Sequence, residues 1–414
     1  MLEGRKPFIR ELPSGLKVAV YEKRDLPLLS LMIFFRVGAV DDPPGKSGLA
    51  HLLEHMMFNG SRKFPEGEFD RILESLGGYS NAFTSYDYTG YYEVFPPSAL
   101  ERVLEMERDR LEALSLDPDS FEREKKVVLE ERRLTVENSP EGFMEEVLNY
   151  ISFLEHPYRR PLIGSRQEII SISLEDLKEF YFKYSPENSI VVLAGDIEVS
   201  RGMAMVEEFL GEWRNGGQPE STFENESFKG ERRAVIKKDV EIESYMLAFR
   251  AGSLKDKDEF LSLSLLPYLL TETLSSRLKN VLIEERKIAS SVVSWYDPRL
   301  GPSLFCIYAE AGEGIEAEVL GNEIKKQLQI LKENLREYEF ETAVERFSLH
   351  EASGLQRVAE IAEAVAKGVL LWNDPLFCLT LSESVRNLDR KKFMERISDV
   401  ISEDNLVEVI LKNG

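Results

Sequence analysis

Apolar positions change their period along the chain, and each change marks an element. Leu16, Val18 and Val20 alternate with other residues as one face of a strand does, and the run from Leu28 to Val40 is apolar and β-branched. Residues 8–40 are therefore read as two strands. After the loop Asp41-Asp-Pro-Pro-Gly-Lys46, the residues Leu49, Ala50, Leu52, Leu53, Met56 and Met57 predict a helix capped by Ser47, with no proline before Pro65. A second helix over 67–76 ends at Gly77-Gly78. Residues 79–95 read as a strand, with Asn81, Phe83 and Ser85 on one face and Ala82, Thr84 and Tyr86 on the other. Helices are predicted at about 98–114, 119–138, 140–154 and 174–184, and Ile190 to Gly195 as a buried strand. The stretch from Arg214 to Gly230 has the composition of a linker. Beyond it the pattern restarts. Phe35-Arg36-Val-Gly38 recurs as Phe249-Arg250-Ala-Gly252, an offset of 214 residues (249 minus 35), each after an apolar strand-like run. The expected organisation is a domain at 1–214, a linker at 215–230 and a duplicated domain at 231–414.

Candidate chemistry sits on the first of these helices. Two of only four histidines, His51 and His55, stand four residues apart with Glu54 between them. At 3.6 residues per turn the three fall within an arc of about 100°. Imidazoles at i and i+4 reach one ion, and Zn²⁺ accepts such nitrogens. A catalytic site needs a third protein ligand and one position left for water, with a carboxylate to take the water's proton. Glu54, beside His55, is placed for that task. The third ligand is sought as a carboxylate on an apolar helix face, where it is costly unless paired or bound to metal. In the run from Phe121 to Val136, Glu124, Val127, Val128, Glu131, Leu134 and Thr135 share one face, and charged residues cover most of the rest. Glu131 is the expected ligand. Glu124 lies two turns away, about 10 Å along the axis, and is expected to orient a ligand or face substrate. The alternative is a helix solvated all round. A closed structural zinc site would need a fourth ligand near the motif, and none is visible.

His51-Leu-Leu-Glu54-His55, followed by Glu131, resembles the inverted zinc motif of the pitrilysin and insulinase peptidases, in the branch of mitochondrial processing peptidase and its bacterial relatives. The likeness extends to Gly-Leu-Lys-Val-Ala-Val at 15–20, Arg36-Val-Gly-Ala, Pro44-Gly-Lys-Ser-Gly-Leu-Ala-His51, Phe58-Asn-Gly-Ser61, Gly77-Gly-Tyr-Ser-Asn81-Ala82-Phe-Thr84, Tyr184-Ser-Pro-Glu-Asn188 and Ala194-Gly-Asp196. The resemblance implies zinc bound by His51, His55 and Glu131, Glu54 as general base and Glu124 as an accessory glutamate. It also implies that Asn81 and Ala82 lie on an edge strand that holds substrate, whose free N–H and C=O groups pair with an extended peptide. With the duplication, the expected fold class is α+β, two duplicated domains, each a mainly antiparallel sheet packed with helices. Adding 214 to the motif positions gives Leu265, Tyr268 and Leu269, so the second half keeps the scaffold without metal ligands and can cover the first as the wall of a chamber. Many self-sufficient relatives carry a glycine-rich segment, an arginine and, seven residues later, a tyrosine in that half. Here Leu270-Thr-Glu-Thr273 precedes Leu274-Ser-Ser-Arg277, and Ile283 and Ser290 stand where the arginine and tyrosine would be. This points to the zinc-bearing subunit of a heterodimer whose homologous partner supplies the pair, with a homodimer as the other arrangement. The expected activity is zinc-dependent endopeptidase action on peptides or unfolded segments; the alternative is a non-catalytic zinc-binding scaffold or assembly subunit.

Composition narrows the partners. A formal net charge of −22 over 414 residues argues against nucleic acid and favours approach of basic peptides. The longest apolar runs fall far short of a membrane span. No signal peptide is visible at the charged start Met1-Leu-Glu-Gly-Arg-Lys, so a cytoplasmic address is expected. Two cysteines, Cys306 and Cys378, are expected as reduced core residues. His156 and His350 stand apart from the motif and are expected to be structural or exposed.

Overall fold

The computed structural model describes residues 6–216, 226, 229–273 and 275–414, so most of the expected linker 215–230 lies outside the described residues. In chain order, β1 (Phe8–Glu11), β2 (Lys17–Glu22) and β3 (Leu29–Phe35) lead to α1 (Leu49–Met56) and α2 (Glu68–Ser75). The hairpin of β4 (Tyr79–Thr84) and β5 (Thr89–Phe95) follows. Next come α3 (Leu100–Ala113), α4 (Pro118–Arg132), α5 (Pro140–Ser152), α6 (Arg166–Ser171), α7 (Leu174–Tyr181), β6 (Ser189–Gly195) and α8 (Val199–Leu210). Later elements are β7 (Arg232–Lys238), β8 (Ser244–Ala251), α9 (Lys257–Leu270), β9 (Ala289–Asp297), β10 (Ser303–Ala311), α10 (Ala317–Glu333), α11 (Glu337–Gly354) and α12 (Val358–Trp372). The chain closes with α13 (Leu381–Arg386), α14 (Arg390–Val400) and β11 (Leu406–Asn413).

One sheet has the order β1-β2-β6-β3-β5-β4 and the other β7-β11-β8-β10-β9. Apart from the extra edge strand β1, the second order repeats the first. In each sheet one pair is parallel, β2 with β6 and β7 with β11, and the remaining pairs are antiparallel. The expected α+β class and the internal duplication are both present. β3 and β6 are buried along their whole lengths, which is why they read as near-continuous apolar runs rather than alternating ones.

By contacts, the described residues divide into one unit within 6–131, 161–216 and 353–380 and another within 132–160, 226–352 and 381–414. The two sheets separate at the expected linker, while two helical segments cross it. In the first unit, Ile361, Ala362, Val365 and Ala366 of α12 pack on Ala19, Met32, Phe34, Ile190 and Val192. In the second, α5 packs on β7, β8 and β11. Each sheet is thus covered by a helix from the other half of the sequence.

Two sequence expectations are corrected here. Residues 8–40 form three strands rather than two, and the second apolar run leaves the sheet after Phe35. Residues 79–95 are a hairpin, not one strand: Ser85 N–H donates to Tyr88 O at 2.8 Å across the turn. Ala39 N–H donates to Ser85 O at 3.0 Å and Val40 N–H to Tyr86 O at 2.8 Å, so the loop after β3 holds that turn.

Candidate metal centre

α1 is fixed at its first turn by Asp42. Its buried carboxylate accepts the N–H of Gly48 at 2.7 Å and of Ala50 at 2.8 Å, satisfying donors that a helix start leaves open. Ser47 does not cap the helix, contrary to expectation. Gly48 is the residue before α1, at φ 89°, and a Cβ there would stand 2.5 Å from Ile163 O. That turn sends the Ser47 hydroxyl to Glu168, to which it donates.

The helix sets His51 and His55 side by side, ring centroids 4.8 Å apart, His51 buried and His55 half-buried. Glu131, on α4, comes to both: Oε1 is 3.7 Å from His51 Nε2 and Oε2 is 3.3 Å from His55 Nε2. One donor atom from each of the three lies within 4.8 Å of the others. Two imidazoles and a carboxylate at this spacing fit a zinc ion with a position left over. On its other side, His55 Nδ1 is 3.5 Å from Glu124 Oε2, the carboxylate–histidine arrangement that orients metal-binding imidazoles. Among the described residues His51 has no such support: its Nδ1 is buried without a hydrogen bond. Arg123 ties this corner together, donating to Asn59 Oδ1 and both Glu66 oxygens at 2.8 Å and lying 3.6 Å from Glu124 Oε1.

The face of α4 differs from the one expected. Phe121, Lys125, Val128 and Arg132 are buried, whereas Val127 is 45% and Leu134 56% exposed. Lys125 buries its stem and sends Nζ to Ile170 O at 3.0 Å and Ile172 O at 2.9 Å, which is how a charged residue occupies an inward position. Glu124 and Glu131 flank Val128 at the rim of the buried face, and the Glu131 side chain keeps 39% of its exposure.

Glu54 accepts a hydrogen bond from Thr84 Oγ1 at 2.5 Å, and burial pushes its carboxyl above the usual range. Burial also pulls His51 down to about 4. For His55 burial acts downward too, but the hydrogen bond and charge of Glu131 prevail and raise it; the same bond lowers Glu131. Asn81 and Ala82 lie on β4, which ends the sheet order, with Asn81 exposed and its Oδ1 accepting the Ala82 N–H at 2.8 Å. Ile283 is half-buried in the helical turn Lys279–Glu285, and Ser290 is exposed on β9, donating to Ala311 O at 3.3 Å; Leu274 lies outside the described residues. His350 is exposed and His156 buried, its Nδ1 accepting the Tyr158 N–H at 3.2 Å. Cys306 and Cys378 are both buried, and no disulfide joins them. Sequence reasoning missed Thr84, Asp42 and Arg123. The first shares the strand face of Ala82 and the second stands in an acidic pair just before the helix, so both left a signal.

A family model described as Insulinase (Peptidase family M16) matches residues 17–166, and one described as Peptidase M16 inactive domain matches residues 171–347. The chain is 32% identical over 327 residues to the zinc protease PqqE of Helicobacter pylori, covering 78% of this chain and 73% of that protein. It belongs to peptidase family M16. An uncharacterized zinc protease of Rickettsia bellii is similar over 98% of both chains at 23% identity. A solved protease from Helicobacter pylori, 28% identical, superposes with a TM-score of 0.94 over 99% of this chain and 100% of that one. An M16 inactive domain from Pseudomonas fluorescens, 20% identical, shares the fold with a TM-score of 0.90 over 99% and 98%. Among the described residues of this M16 chain, no helix is long and apolar enough to cross a membrane.

Proposed function

We propose that the chain is a zinc-dependent endopeptidase acting on peptides or unfolded segments, with His51, His55 and Glu131 holding one zinc. The observation that carries this is the convergence of those three side chains within 4.8 Å, with Glu54 on the turn between the imidazoles. When bound, zinc supplies a Lewis acid for the peptide carbonyl and lowers the pKa of a water. Glu54 takes the proton from that water and returns it to the leaving amine, a general acid–base contribution of roughly 10²- to 10⁴-fold. Glu124 orients His55 through Nδ1. The free edge of β4 at Asn81 and Ala82 pairs with an extended substrate, for which Asn81 must release the Ala82 N–H. Ile283 and Ser290 offer no cationic or phenolic donor to a tetrahedral oxyanion, a loss of about 3 kcal/mol per donor. A homologous partner subunit that brings an arginine and a tyrosine supplies it, as in a heterodimer of the processing-peptidase type.

Replacing Glu54 by Gln tests the core of this reading. Zinc stays near one per chain while cleavage of a quenched peptide library is lost; loss of the metal instead shows the roles to be misassigned. A second reading, a zinc-bearing scaffold without activity, draws on the inactive-domain match over residues 171–347. Turnover of the library with zinc, with and without co-expressed homologous partners, separates the two.

A further inference from the structure

Among the described residues, Glu54 makes one side-chain hydrogen bond, and it comes from the sheet edge rather than from its own helix. Thr84 is the last residue of β4, and its Oγ1 donates to Glu54 Oε2 at 2.5 Å. Strand alternation divides the neighbours. Ala82 and Thr84 share the face turned to α1, which packs on β4, while Phe83 points the other way into Phe34 and Tyr88, with ring centroids 6.3 and 6.2 Å away. The register fixes where the hydroxyl stands: Thr84 pairs with Thr89, whose own Oγ1 donates to Val37 O at 2.9 Å in a buried position. A glutamate has three rotatable bonds and costs entropy to hold in one place. A threonine has a stiff χ1 and suits a strand, so its hydroxyl is delivered in a set direction. It is also neutral, and fixes one carboxylate oxygen without adding charge beside the histidines.

We propose that Thr84 is a positioning residue that holds the Glu54 carboxylate from the strand on which substrate is held, leaving Oε1 to handle the proton. The proposal rests on the reading of Glu54 as the base. Substrate pairing at Ala82 and the aim of the base are then set by one rigid segment, two residues apart on the same face. A slip of β4 moves both together. Preserving that alignment is what a hydrogen bond from the edge strand achieves and one from α1 itself does not.

Thr84→Val keeps the shape and the β-branch and removes the donor. In whichever assembly cleaves peptide, kcat is expected to fall roughly 10- to 100-fold with KM within about threefold, the signature of an interaction used in the transition state. Thr84→Ser restores kcat to within about threefold of the parent, because the hydroxyl returns. Two readouts do not depend on turnover. The dissociation constant of an uncleavable peptide on the metal-free chain stays within about twofold, since the strand's backbone groups are untouched. In a crystal structure of Thr84→Val the Glu54 carboxylate leaves its position, and in Thr84→Ser it keeps it. With Glu54→Gln already present, adding Thr84→Val changes the residual rate by less than about twofold. The proposal is overturned if Thr84→Val keeps kcat, if Thr84→Ser is as impaired as Thr84→Val, or if the loss lies in KM and peptide affinity. A Glu54→Gln chain that still cleaves overturns the reading of the base, whereas a dead Glu54→Gln chain beside an intact Thr84→Val overturns Thr84 alone. Should Thr84→Val not fold, Thr84→Ala is read by the same measurements.

Discussion

α1 in the first unit and α9 in the second follow equivalent strands, β3 and β8, yet they do opposite things with equivalent positions. Where α1 has His51, Glu54 and His55, α9 has Leu265, Tyr268 and Leu269, with Leu265 fully buried and Leu269 5% exposed. The partner helices differ in step. His55 meets Glu124 and Glu131 of α4, whereas Tyr268 lies against Phe347 and His350 of α11, with ring centroids at 5.5 and 6.2 Å. Aligning the first residues of α4 and α11, 118 and 337, gives an offset of 219 that carries Val128 to Phe347 and Glu131 to His350. One helix pair therefore closes on a polar cluster and the other on rings and leucines. The fold accepts either, and the apolar version is cheaper, because a buried imidazole and half-buried carboxylates lose hydration that leucines never had. Polar groups at such positions are costly unless something pairs with them, which is what the proposed zinc would do.

The widest separation between the two helix pairs is expected from matched substitutions at one position. His55→Ala removes one of three proposed ligands and, with zinc-site binding energies of about 10–16 kcal/mol shared among them, lowers zinc affinity on the order of a thousandfold. Leu269→Ala leaves zinc content at the parent level and costs about 3 kcal/mol of stability as a core truncation. Chelator competition reads the first and denaturant unfolding the second; a Leu269→Ala chain that loses zinc would erase the contrast. A smaller effect belongs to the layer behind the ligands. Glu124→Gln keeps the size of the side chain but weakens its hold on His55 Nδ1, and is expected to reduce zinc affinity roughly 10- to 100-fold. Equal affinity in the variant would mean that the 3.5 Å approach does nothing for the imidazole.

The sequence makes more of the candidate site legible than of its setting. His51 and His55 were legible because a spacing of four on a helix brings two rings together whatever the rest of the chain does. The carboxylate test points to Glu131, which the fold does bring beside both imidazoles, although the helix face differs from the expected one: Val127 and Leu134 are exposed, and Lys125 and Arg132 are buried. Residue type misled there because a lysine stem is as apolar as a valine once its ammonium finds carbonyls, as Lys125 does at Ile170 and Ile172. The duplication was visible in Phe35-Arg36 and Phe249-Arg250, and the repeated strand order carries it through both sheets. The crossing of α5 and α12 to the other half's sheet left no trace in the pattern, since periodicity says that a helix has an apolar face and not which sheet will cover it. The hairpin at Ser85 to Tyr88 is not legible in the sequence, because its turn contains no glycine or proline to break the run.

The helix starts provide the smallest and cleanest contrast. α9 is capped locally: Asp256 stands at its N-cap and accepts the Glu259 N–H at 3.1 Å. α1 is held from a distance by Asp42, six and eight residues before the N–H groups it accepts, inside the core. Asp256 is half-buried, and removing a local cap of this kind costs about 1 kcal/mol. Removing a buried carboxylate strands two N–H groups that water cannot reach, at about 1–3 kcal/mol each. Asp42→Ala is therefore expected to destabilise the chain by roughly 2–6 kcal/mol and to weaken zinc binding by loosening the first turn of α1, where His51 sits. Asp256→Ala is expected to cost about 1 kcal/mol and to leave zinc affinity unchanged, since no proposed ligand rides on α9. Unfolding curves and zinc titrations of the two variants decide it. Equal costs would mean that α1 draws its placement from packing of Leu49, Leu52, Leu53 and Met56 rather than from the acid, and that the metal helix is seated no differently from its silent counterpart.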